Sequence, residues 1–367
     1  MAERCAIVGG GLVGFTAYAT LLHGGVPAED VAVFATDSDP AAAWRRRAAA
    51  IRQRRMRSES DGHCLPTSFP GLAVREARGQ RSLAPLVASV CDRYRPSVDD
   101  FLEHVAELRE RSGWDERVRL ARVDRVEPVE GGFALDGHGV FAHVLIAPGH
   151  PGLSVPDELA PDPRVVHAYE PHEYADEVAV VGAGMAAATE WLNALAVGSR
   201  VVSVRRREPE RRPLNVPRSL FSRRGLARYH ATEPMERAAF LRRLLTPSFP
   251  PGRAWDEPLE RAAREGRFRI APSVDGEAQI VCATGFRRGY EYDPLLEALV
   301  REHGVETHDR WLVLAPDCTI PALTDVTRTL ALAGVPAQWA YPAADTLVGA
   351  KYAAHGFLRR VTACRTR

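Results

Sequence analysis

Paired cysteines and long apolar runs are missing from this sequence of 367 residues. The six cysteines are scattered and include no CxxC pair, which excludes an in-chain dithiol relay and favours a reducing, cytoplasmic environment. No stretch approaches the roughly 20 apolar residues that span a bilayer, and the first residues lack the layout of a signal peptide. We therefore expect a cytoplasmic protein with no membrane insertion.

A strong net charge is missing as well. The chain has 48 basic and 47 acidic residues, a formal net charge of +1, so no global field favours nucleic acid or an anionic membrane. Lys351 is the only lysine, and arginine runs such as residues 205–212 are most simply explained as solvated surface. The 46% of hydrophobic residues and the length of the chain favour an ordinary globular protein of two domains.

A glycine-rich loop follows the first apolar stretch. Residues 5–8 predict a short buried strand, and the letters GGGLVG at residues 9–14 complete a GxGxxG pattern that opens a helix. Gly9 suits the tight turn, Gly11 lets the backbone approach a pyrophosphate, and Gly14 lets the helix pack on the strand. The helix N-terminus offers free N–H groups to the diphosphate, so the pattern predicts dinucleotide binding.

The acid that usually follows the second strand of such a unit is displaced. After the strand predicted at residues 31–34, the pattern expects an acid that holds the ribose hydroxyls. The sequence has Ala35 and Thr36 there, and Asp37 is the nearest substitute. The alternative is that Asp37 and the neighbouring Asp39 are turn residues.

The same device occurs a second time. A strand predicted at residues 178–181 leads into GAGMAA, the GxGxxA variant, in which Gly182, Gly184 and Ala187 take the three positions. This repeat predicts a second dinucleotide site.

The strand after the second loop ends in arginines. An acid at this place would repel a 2′-phosphate, whereas Arg205 and Arg206 can bind one through charge-assisted hydrogen bonds. The pattern favours NADP over NAD at the second loop, and the alternative is a solvated basic turn.

Two further apolar strands, predicted at residues 144–150 and 280–286, both end in Ala-x-Gly. Each would mark a crossing from one domain to the other, with Gly149, Thr284 and Gly285 at the crossings. Their positions frame the second glycine loop.

We therefore predict an α/β fold of two Rossmann-like, three-layer ββα dinucleotide-binding domains. Residues 1–150 and 281–367 would form a discontinuous FAD domain, and residues 151–280 would form an NADPH domain inserted into it. Two nucleotide loops suit an enzyme that holds FAD and is recharged by NADPH, with the two sites facing each other so that the nicotinamide reaches the flavin.

These landmarks together resemble the two-dinucleotide-domain flavoproteins, most closely the flavin-containing monooxygenase group with its bacterial N-hydroxylating and Baeyer–Villiger relatives. The resemblance implies FAD and NADPH as cofactors, and dioxygen and a small-molecule substrate as partners. NADPH would reduce the flavin, which would then capture dioxygen as a hydroperoxide and oxygenate a nitrogen, sulfur or carbonyl-containing substrate.

The resemblance also implies further flavin contacts. Trp44 matches a tryptophan that lies near the flavin, and Arg57 and Ser58 match an Arg-Ser stretch that lines the flavin cavity. Asp345 and Thr346 would begin a helix whose N-terminus faces the pyrimidine edge of the flavin. The usual Gly-Asp pair is absent before that helix.

One part of the monooxygenase pattern is missing. A Phe-Gly-His-Tyr/Trp fingerprint is expected before the second loop, and residues 164–174 keep only His167 and Tyr169 there. This absence favours a second hypothesis, an NADPH-dependent flavoprotein reductase that passes electrons to a partner or acceptor. A third hypothesis is a flavin- and nucleotide-binding protein without turnover.

Two features remain outside these patterns. His63, beside Asp61 in the presumed flavin-side loop, is the candidate acid or base, and the alternative is a structural loop histidine. No metal site is expected, because no second pair at ligand spacing accompanies His63 and Cys64.

The excursion over residues 208–265 would form a lid over the nicotinamide or a partner surface, and its helix at residues 234–245 is expected to pack on the inserted domain.

Overall fold

Two parallel sheets of five strands each organise the chain. The computed structural model describes residues 4–57, 59–65, 70–91, 93–213 and 216–363. The strands are β1 (Cys5–Val8), β2 (Val31–Ala35), β3 (Val118–Leu120), β4 (Val126–Val129), β5 (Gly132–Leu135), β6 (Val140–Phe141), β7 (His143–Ile146), β8 (Val165–His167), β9 (Glu177–Val181), β10 (Arg200–Val204), β11 (Glu210–Arg211), β12 (Ser248–Phe249), β13 (Phe268–Ala271), β14 (Gln279–Cys282), β15 (Thr307–His308), β16 (Trp311–Leu312) and β17 (Thr329–Leu332).

Thirteen helices are described. They are α1 (Leu12–His23), α2 (Ala42–Ala50), α3 (Leu72–Gln80), α4 (Ala84–Val90), α5 (Val98–Arg111), α6 (Trp114–Arg117), α7 (Met185–Ala196), α8 (Arg218–Phe221), α9 (Arg223–His230), α10 (Pro234–Leu244), α11 (Arg253–Arg264), α12 (Pro294–His303) and α13 (Leu347–Ala363). In the part of the chain that the structure describes, no helix has the length and apolar character needed to cross a membrane.

The first sheet has the order β17-β7-β1-β2-β3, with every neighbouring pair parallel. Strands β1, β2 and β7 are buried along their whole length, as expected for a parallel sheet covered on both faces. The antiparallel strands β4, β5 and β6 lead into β7 and add a second β layer. Helices α1 and α13 pack against each other in this unit, which we call the first unit.

The second sheet repeats this design in the order β13-β10-β9-β14-β8, again wholly parallel. Strand β9 takes the place of β1, β10 that of β2, and β14 that of β7. The antiparallel layer has no counterpart here, because only residues 272–278 connect β13 to β14. The α/β fold with two Rossmann-like units is confirmed, and we call this sheet with its helices the second unit.

The two crossing strands are shorter than predicted. Strand β7 ends at Ile146 and β14 at Cys282, because the backbone turns beyond them at Gly149 and Gly285, with φ of +82° and +80°. A Cβ at either glycine would meet no atom within 4 Å, so the left-handed φ accounts for glycine there. The predicted boundary between the inserted domain and the last segment of the FAD domain, at residues 280 and 281, falls inside β14. Because β14 pairs with β9 and β8, the whole strand belongs to the second sheet.

The excursion between β10 and β13 packs differently from the expectation. The helix predicted at residues 234–245 is α10, with Pro234 in its first turn. Its buried Ala238 and Leu241 belong to the apolar core of the first unit, so the expected packing on the inserted domain is wrong. Amphipathic spacing identifies a buried helix face but cannot tell which surface covers it.

Candidate functional site

The first glycine loop leaves space only at its middle glycine. A Cβ at Gly9, where φ is +109°, would lie 2.1 Å from the carbonyl oxygen of Ala147, and a Cβ at Gly14 would lie 1.9 Å from that of Gly9. A Cβ at Gly11 would meet no atom within 4 Å, and Gly11 is exposed at the N-terminus of α1. The outer glycines thus bring backbone segments together, and the middle one leaves a helix N-terminus accessible to a phosphate.

Asp37 lies in a turn just beyond β2. One carboxylate oxygen accepts a hydrogen bond from the backbone N–H of Asp39 at 3.0 Å, and the guanidinium of Arg46 lies 3.7 Å from the other. Asp39 in turn accepts from the backbone N–H of Ala41 at 2.9 Å. Asp37 is therefore a turn residue in this structure. Because its side chain is half-exposed, its contact with the ribose stays a prediction.

Trp44 and Arg57 lie on different parts of the first unit. Trp44 packs edge-on against Phe101, with ring centroids 5.0 Å apart. The guanidinium of Arg57 donates hydrogen bonds to the hydroxyl of Thr189 at 3.1 Å and to that of Tyr169 at 3.5 Å. Because Thr189 lies on α7, Arg57 joins the first unit to the helix that follows the second glycine loop.

The second glycine loop has the same backbone design but is covered. Gly182 has φ of +135°, and a Cβ there would lie 2.6 Å from the carbonyl oxygen of Ala283. Ala187 is fully buried at the third position. A Cβ at Gly184 would lie 3.8 Å from the Cα of Pro247, whereas its counterpart Gly11 faces open space. Residues 246–250, which we call the strap, therefore lie over the second loop.

Two arginines hold the strap. Arg212 donates to the hydroxyl of Ser248 at 2.9 Å and, at 2.7–3.1 Å, to the three backbone carbonyls of Arg243, Leu244 and Thr246. Arg211 donates to the carbonyl of Pro250 at 3.1 Å and to the carboxylate of Asp256 at 2.5 Å. Strands β11 and β12 pair at the same place, so the strap is a built element of the second unit.

The helices before the strap dock on the first unit. The hydroxyl of Tyr229 donates to the carbonyl of Trp339 at 3.1 Å, and Nε2 of His230 lies 2.8 Å from the carbonyl oxygen of Ala340. The guanidinium of Arg237 lies over the Trp339 ring, 4.9 Å from its centroid. The excursion thus contacts the end of the first sheet and the second glycine loop at once.

Arg205 and Arg206 do not converge on one point. The Arg205 side chain is 10% exposed and lies over the ring of Trp191, whereas that of Arg206 is 85% exposed and pairs with Glu158 at 2.9 Å. Consecutive residues at a strand end point to opposite faces, which accounts for the difference. A fork made of both side chains is therefore not formed here, and Arg206 is the accessible member.

The two crossings are bonded to each other. The hydroxyl of Thr284 donates to the carbonyl of Ser154, and the backbone N–H of Ser154 donates to the carbonyl of Gly285 at 2.9 Å. Next to them, Phe286 stacks on His150 with centroids 3.8 Å apart. Thr284 and Gly285 therefore fix where the chain passes between the units.

Asp345 and Thr346 precede α13 as predicted. The Thr346 hydroxyl accepts from the backbone N–H of Gly349 at 3.2 Å and so caps the helix. The surface of Asp345 is exposed, but the density of protein around its carboxyl raises the pKa of that group. Arg288 is near enough to oppose that shift. Ser58, the other flavin contact implied by resemblance, lies outside the described residues.

His63 has the contacts of a structural histidine. Its Nδ1 accepts from the backbone N–H of Leu65 at 3.2 Å, its ring lies 3.8 Å from that of His104, and burial lowers its pKa to about 4. Beside it, the ammonium of Lys351 lies 3.2 Å from both carboxylate oxygens of Asp61. These contacts favour the structural alternative. Among the described residues, no group of three or more His, Cys, Asp or Glu is arranged to hold a metal ion.

A pocket lies where the crossings meet the first unit. It includes the end of the first crossing, the hairpin β15–β16, the turn after β17 and Leu245 beside the strap, and its polar walls are Arg288, Tyr290, Asp293, Arg310, Trp311 and Gln338. Domain junctions are the usual place for ligand pockets. The sequence analysis missed Arg288 and Arg310, although Arg288 stands three positions after Gly285 in the segment GFRRG.

No protein-family model matches the sequence, and no curated protein matches it in sequence. Solved structures do match in fold. An ornithine N-hydroxylase from Kutzneria sp. 744 is 15% identical with a TM-score of 0.74, covering 100% of each chain. A cadaverine monooxygenase from Erwinia amylovora is 12% identical with a TM-score of 0.75, covering 99% of this chain and 95% of its own. The chain shares the fold of these proteins.

Proteins of another reaction class share that fold. A bacillithiol disulfide reductase from Bacillus cereus is 14% identical with a TM-score of 0.60, covering 100% of each chain. At these identities the likeness shows the architecture and no more. The predicted resemblance is confirmed at that level.

Proposed function

We propose that this chain is an FAD- and NADPH-dependent oxidoreductase that oxygenates a small substrate containing nitrogen, sulfur or a carbonyl group. The observation that carries the proposal is the pair of glycine loops, in which close backbone contacts exclude side chains at Gly9, Gly14 and Gly182. FAD, when bound, supplies the redox chemistry and the activation of dioxygen. The Kutzneria hydroxylase was solved with reduced FAD, NADP⁺ and L-ornithine, and the Erwinia monooxygenase was solved with FAD.

The residues of each loop suit one cofactor. The open N-terminus of α1 at Gly11 would hold the FAD diphosphate, with Asp37 near the ribose and Thr346 capping the helix near the pyrimidine edge. The loop at Gly184 would hold NADPH, and Arg206 would contact the 2′-phosphate. The strap would exclude water from the nicotinamide side.

The division of the chain is part of the proposal. We infer an FAD domain at its two ends and an inserted NADPH domain between them, with the second boundary after Cys282, where β14 ends. A cytoplasmic location remains a prediction from the sequence.

Absorption spectroscopy tests the proposal. The purified protein should show the flavin bands, lose them anaerobically on addition of NADPH, and do so more slowly with NADH. A colourless protein that takes up no FAD, or a flavin that NADPH leaves oxidised, would refute it.

A second candidate is a reductase without oxygenation. The missing fingerprint before the second loop favours it, and the Bacillus disulfide reductase has the same fold. Measuring NADPH oxidation, peroxide and oxygenated product in the presence of trial amines, thiols and ketones separates the two. Stoichiometric product supports the oxygenase, whereas peroxide alone supports the reductase.

A further inference from the structure

The pocket at the domain junction has room for a small polar group. Its space for water-sized groups is about 30 Å³, and it opens to solvent. That volume holds roughly two or three such groups, so a carboxylate fits. Of the predicted cofactor contacts, only Gly149 lies on its wall.

Arg288 is the charged group inside this pocket. Its Nη1 is buried with no hydrogen-bond partner in the part of the chain that the structure describes. A buried guanidinium without a bonded anion is unstable relative to one paired with a carboxylate, whose two oxygens match its planar donors. The carboxylate of Asp345 is near enough to act electrostatically on Arg288, but the two side chains form no ion pair.

The remaining polar walls leave a positive charge in excess. Arg310 is exposed and also lines the pocket. The carboxylate of Asp293 is engaged as the cap of α12, accepting from the backbone N–H groups of Leu295 and Leu296 at 3.1 Å and 3.2 Å. Both hydrogen bonds go to Oδ1, and among the described residues no ion pair joins Asp293 to Arg288 or Arg310.

The pocket lies between the two glycine loops. Pro148 on its wall follows Ala147, whose carbonyl oxygen borders Gly9, and Leu245, also on its wall, precedes the strap over Gly184. A small molecule held here would therefore lie near both cofactor loops.

We propose that this pocket is an oxyanion subsite in which Arg288 binds the carboxylate of the substrate and Arg310 attracts that carboxylate at the mouth. The inference rests on the proposed function, because it takes the bound molecule to be the one that is oxygenated. It assigns the substrate class: a small molecule with a carboxylate at the end remote from the atom that reacts.

Two probes of equal shape test the charge. Binding of 5-aminopentanoate and of 5-aminopentanamide to the FAD-loaded protein is measured by calorimetry without NADPH. We expect the carboxylate to bind about 10- to 100-fold more tightly than the amide, as for charge-assisted hydrogen bonds. Arg288→Gln should abolish the difference, Arg288→Lys should keep part of it, and Arg310→Gln should reduce it about two- to threefold at low salt only.

The matched control is Arg264→Gln, an exposed arginine at the end of α11. It should leave both affinities unchanged. Equal binding of the two probes by the unaltered protein, or an undiminished difference in Arg288→Gln, would overturn the subsite. Should Arg288→Gln not fold, Arg288→Lys and Arg310→Gln at low salt decide, and an undiminished difference in both would overturn the subsite.

Binding of inorganic phosphate is measured in a separate experiment. If it binds in an Arg288-dependent manner and the carboxylate probe does not, the pocket serves phosphate and the proposal is wrong. If the carboxylate binds through Arg288 but NADPH is never oxidised, the subsite stands and the proposed function fails. If NADPH oxidation yields oxygenated product from both probes equally well, the subsite fails and the function stands.

Discussion

The two glycine loops share one backbone design and differ in what covers it. In both, the first glycine has a positive φ, and a Cβ there would collide with the carbonyl oxygen of the alanine in the Ala-x-Gly segment. The middle glycine of the first loop faces open space, whereas that of the second lies under Pro247. The comparison teaches that the motif specifies how the chain turns, while access to the turn is decided by a segment more than fifty residues away in sequence.

The largest expected effect concerns the third position of the loops. Gly14→Ala should lower the free energy of unfolding by about 2–4 kcal/mol, because the new Cβ would lie 1.9 Å from the carbonyl oxygen of Gly9. Ala187→Gly should cost only about 1 kcal/mol, since it removes one buried methyl from a helix. Urea unfolding measures both. Gly79→Ala, where a Cβ meets nothing, is the control, and equal losses at positions 14 and 187 would contradict the comparison.

The middle position should separate folding from cofactor binding. Gly11→Ala is expected to fold normally, because its Cβ meets no protein atom. Its Kd for FAD should rise at least about tenfold. Gly184→Ala should keep its FAD and raise the KM for NADPH. Flavin absorbance after gel filtration and steady-state kinetics provide the two measurements. Full FAD retention by Gly11→Ala would mean that the diphosphate binds elsewhere.

Removing the guanidinium of Arg212 should release the strap. Arg212→Ala loses the hydrogen bonds to the Ser248 hydroxyl and to three carbonyls, so amide hydrogen exchange at residues 244–250 should accelerate. The KM for NADPH should rise about three- to tenfold with FAD content unchanged, since the first loop has no strap. Arg253→Ala, at an exposed helical ion pair, is the control. Unchanged exchange would show that Arg211 and the pairing of β11 with β12 hold the strap without Arg212.

Nucleotide preference should depend on one arginine of the pair. Arg206→Gln is expected to reduce the preference for NADPH over NADH about fivefold, because its side chain is accessible. Arg205→Gln should leave the preference unchanged and lower the unfolding temperature, because its side chain packs on Trp191. Ratios of kcat/KM for the two nucleotides give the result. If Arg205→Gln reduced the preference and Arg206→Gln did not, the 2′-phosphate would bind at Arg205, on the side that packs on Trp191.

The two units should also differ in the pH dependence of their stability. Burial lowers the pKa of His63 to about 4, so the unfolded chain takes up a proton near pH 6.5 before the folded one does, and stability falls as the pH drops from 6.5 toward 4. In the second unit burial is the largest influence on His172 and disfavours its protonated form. Its hydrogen bonds to Glu190 and to the carbonyl of Glu170, with the charge of Glu190, together outweigh burial and raise the pKa. That contribution is complete below pH 6.5 and disappears as the pH rises through the raised pKa.

Urea unfolding of two variants checks these signs. His63→Gln should be less sensitive to acid than the unaltered protein, and His172→Gln should cost more stability near pH 6 than near pH 9. A cost of His172→Gln that grows with pH would reverse the assignment.

What could be predicted from the sequence was local. The strand at residues 5–8 and the glycine positions depend on neighbouring residues, and the strand and the turns are found where expected. The strap, the docking of α10 and the role of Arg288 depend on segments far apart in sequence. The Tyr229–Trp339 hydrogen bond, for example, spans 110 residues. Burial of Arg205 was missed because arginine runs give no sign of which side chain turns inward.

The docking of α9 and α10 bears on whether the two units are separable modules. An inserted domain joined only at two crossings can be excised and replaced by a short linker. Here excision of residues 151–282 would also strip Ala238 and Leu241 from the first unit and expose the apolar surface beneath them. A shortened protein of that kind should aggregate. A gene fusion or domain exchange in this chain therefore has to keep α9 and α10 together with the first unit.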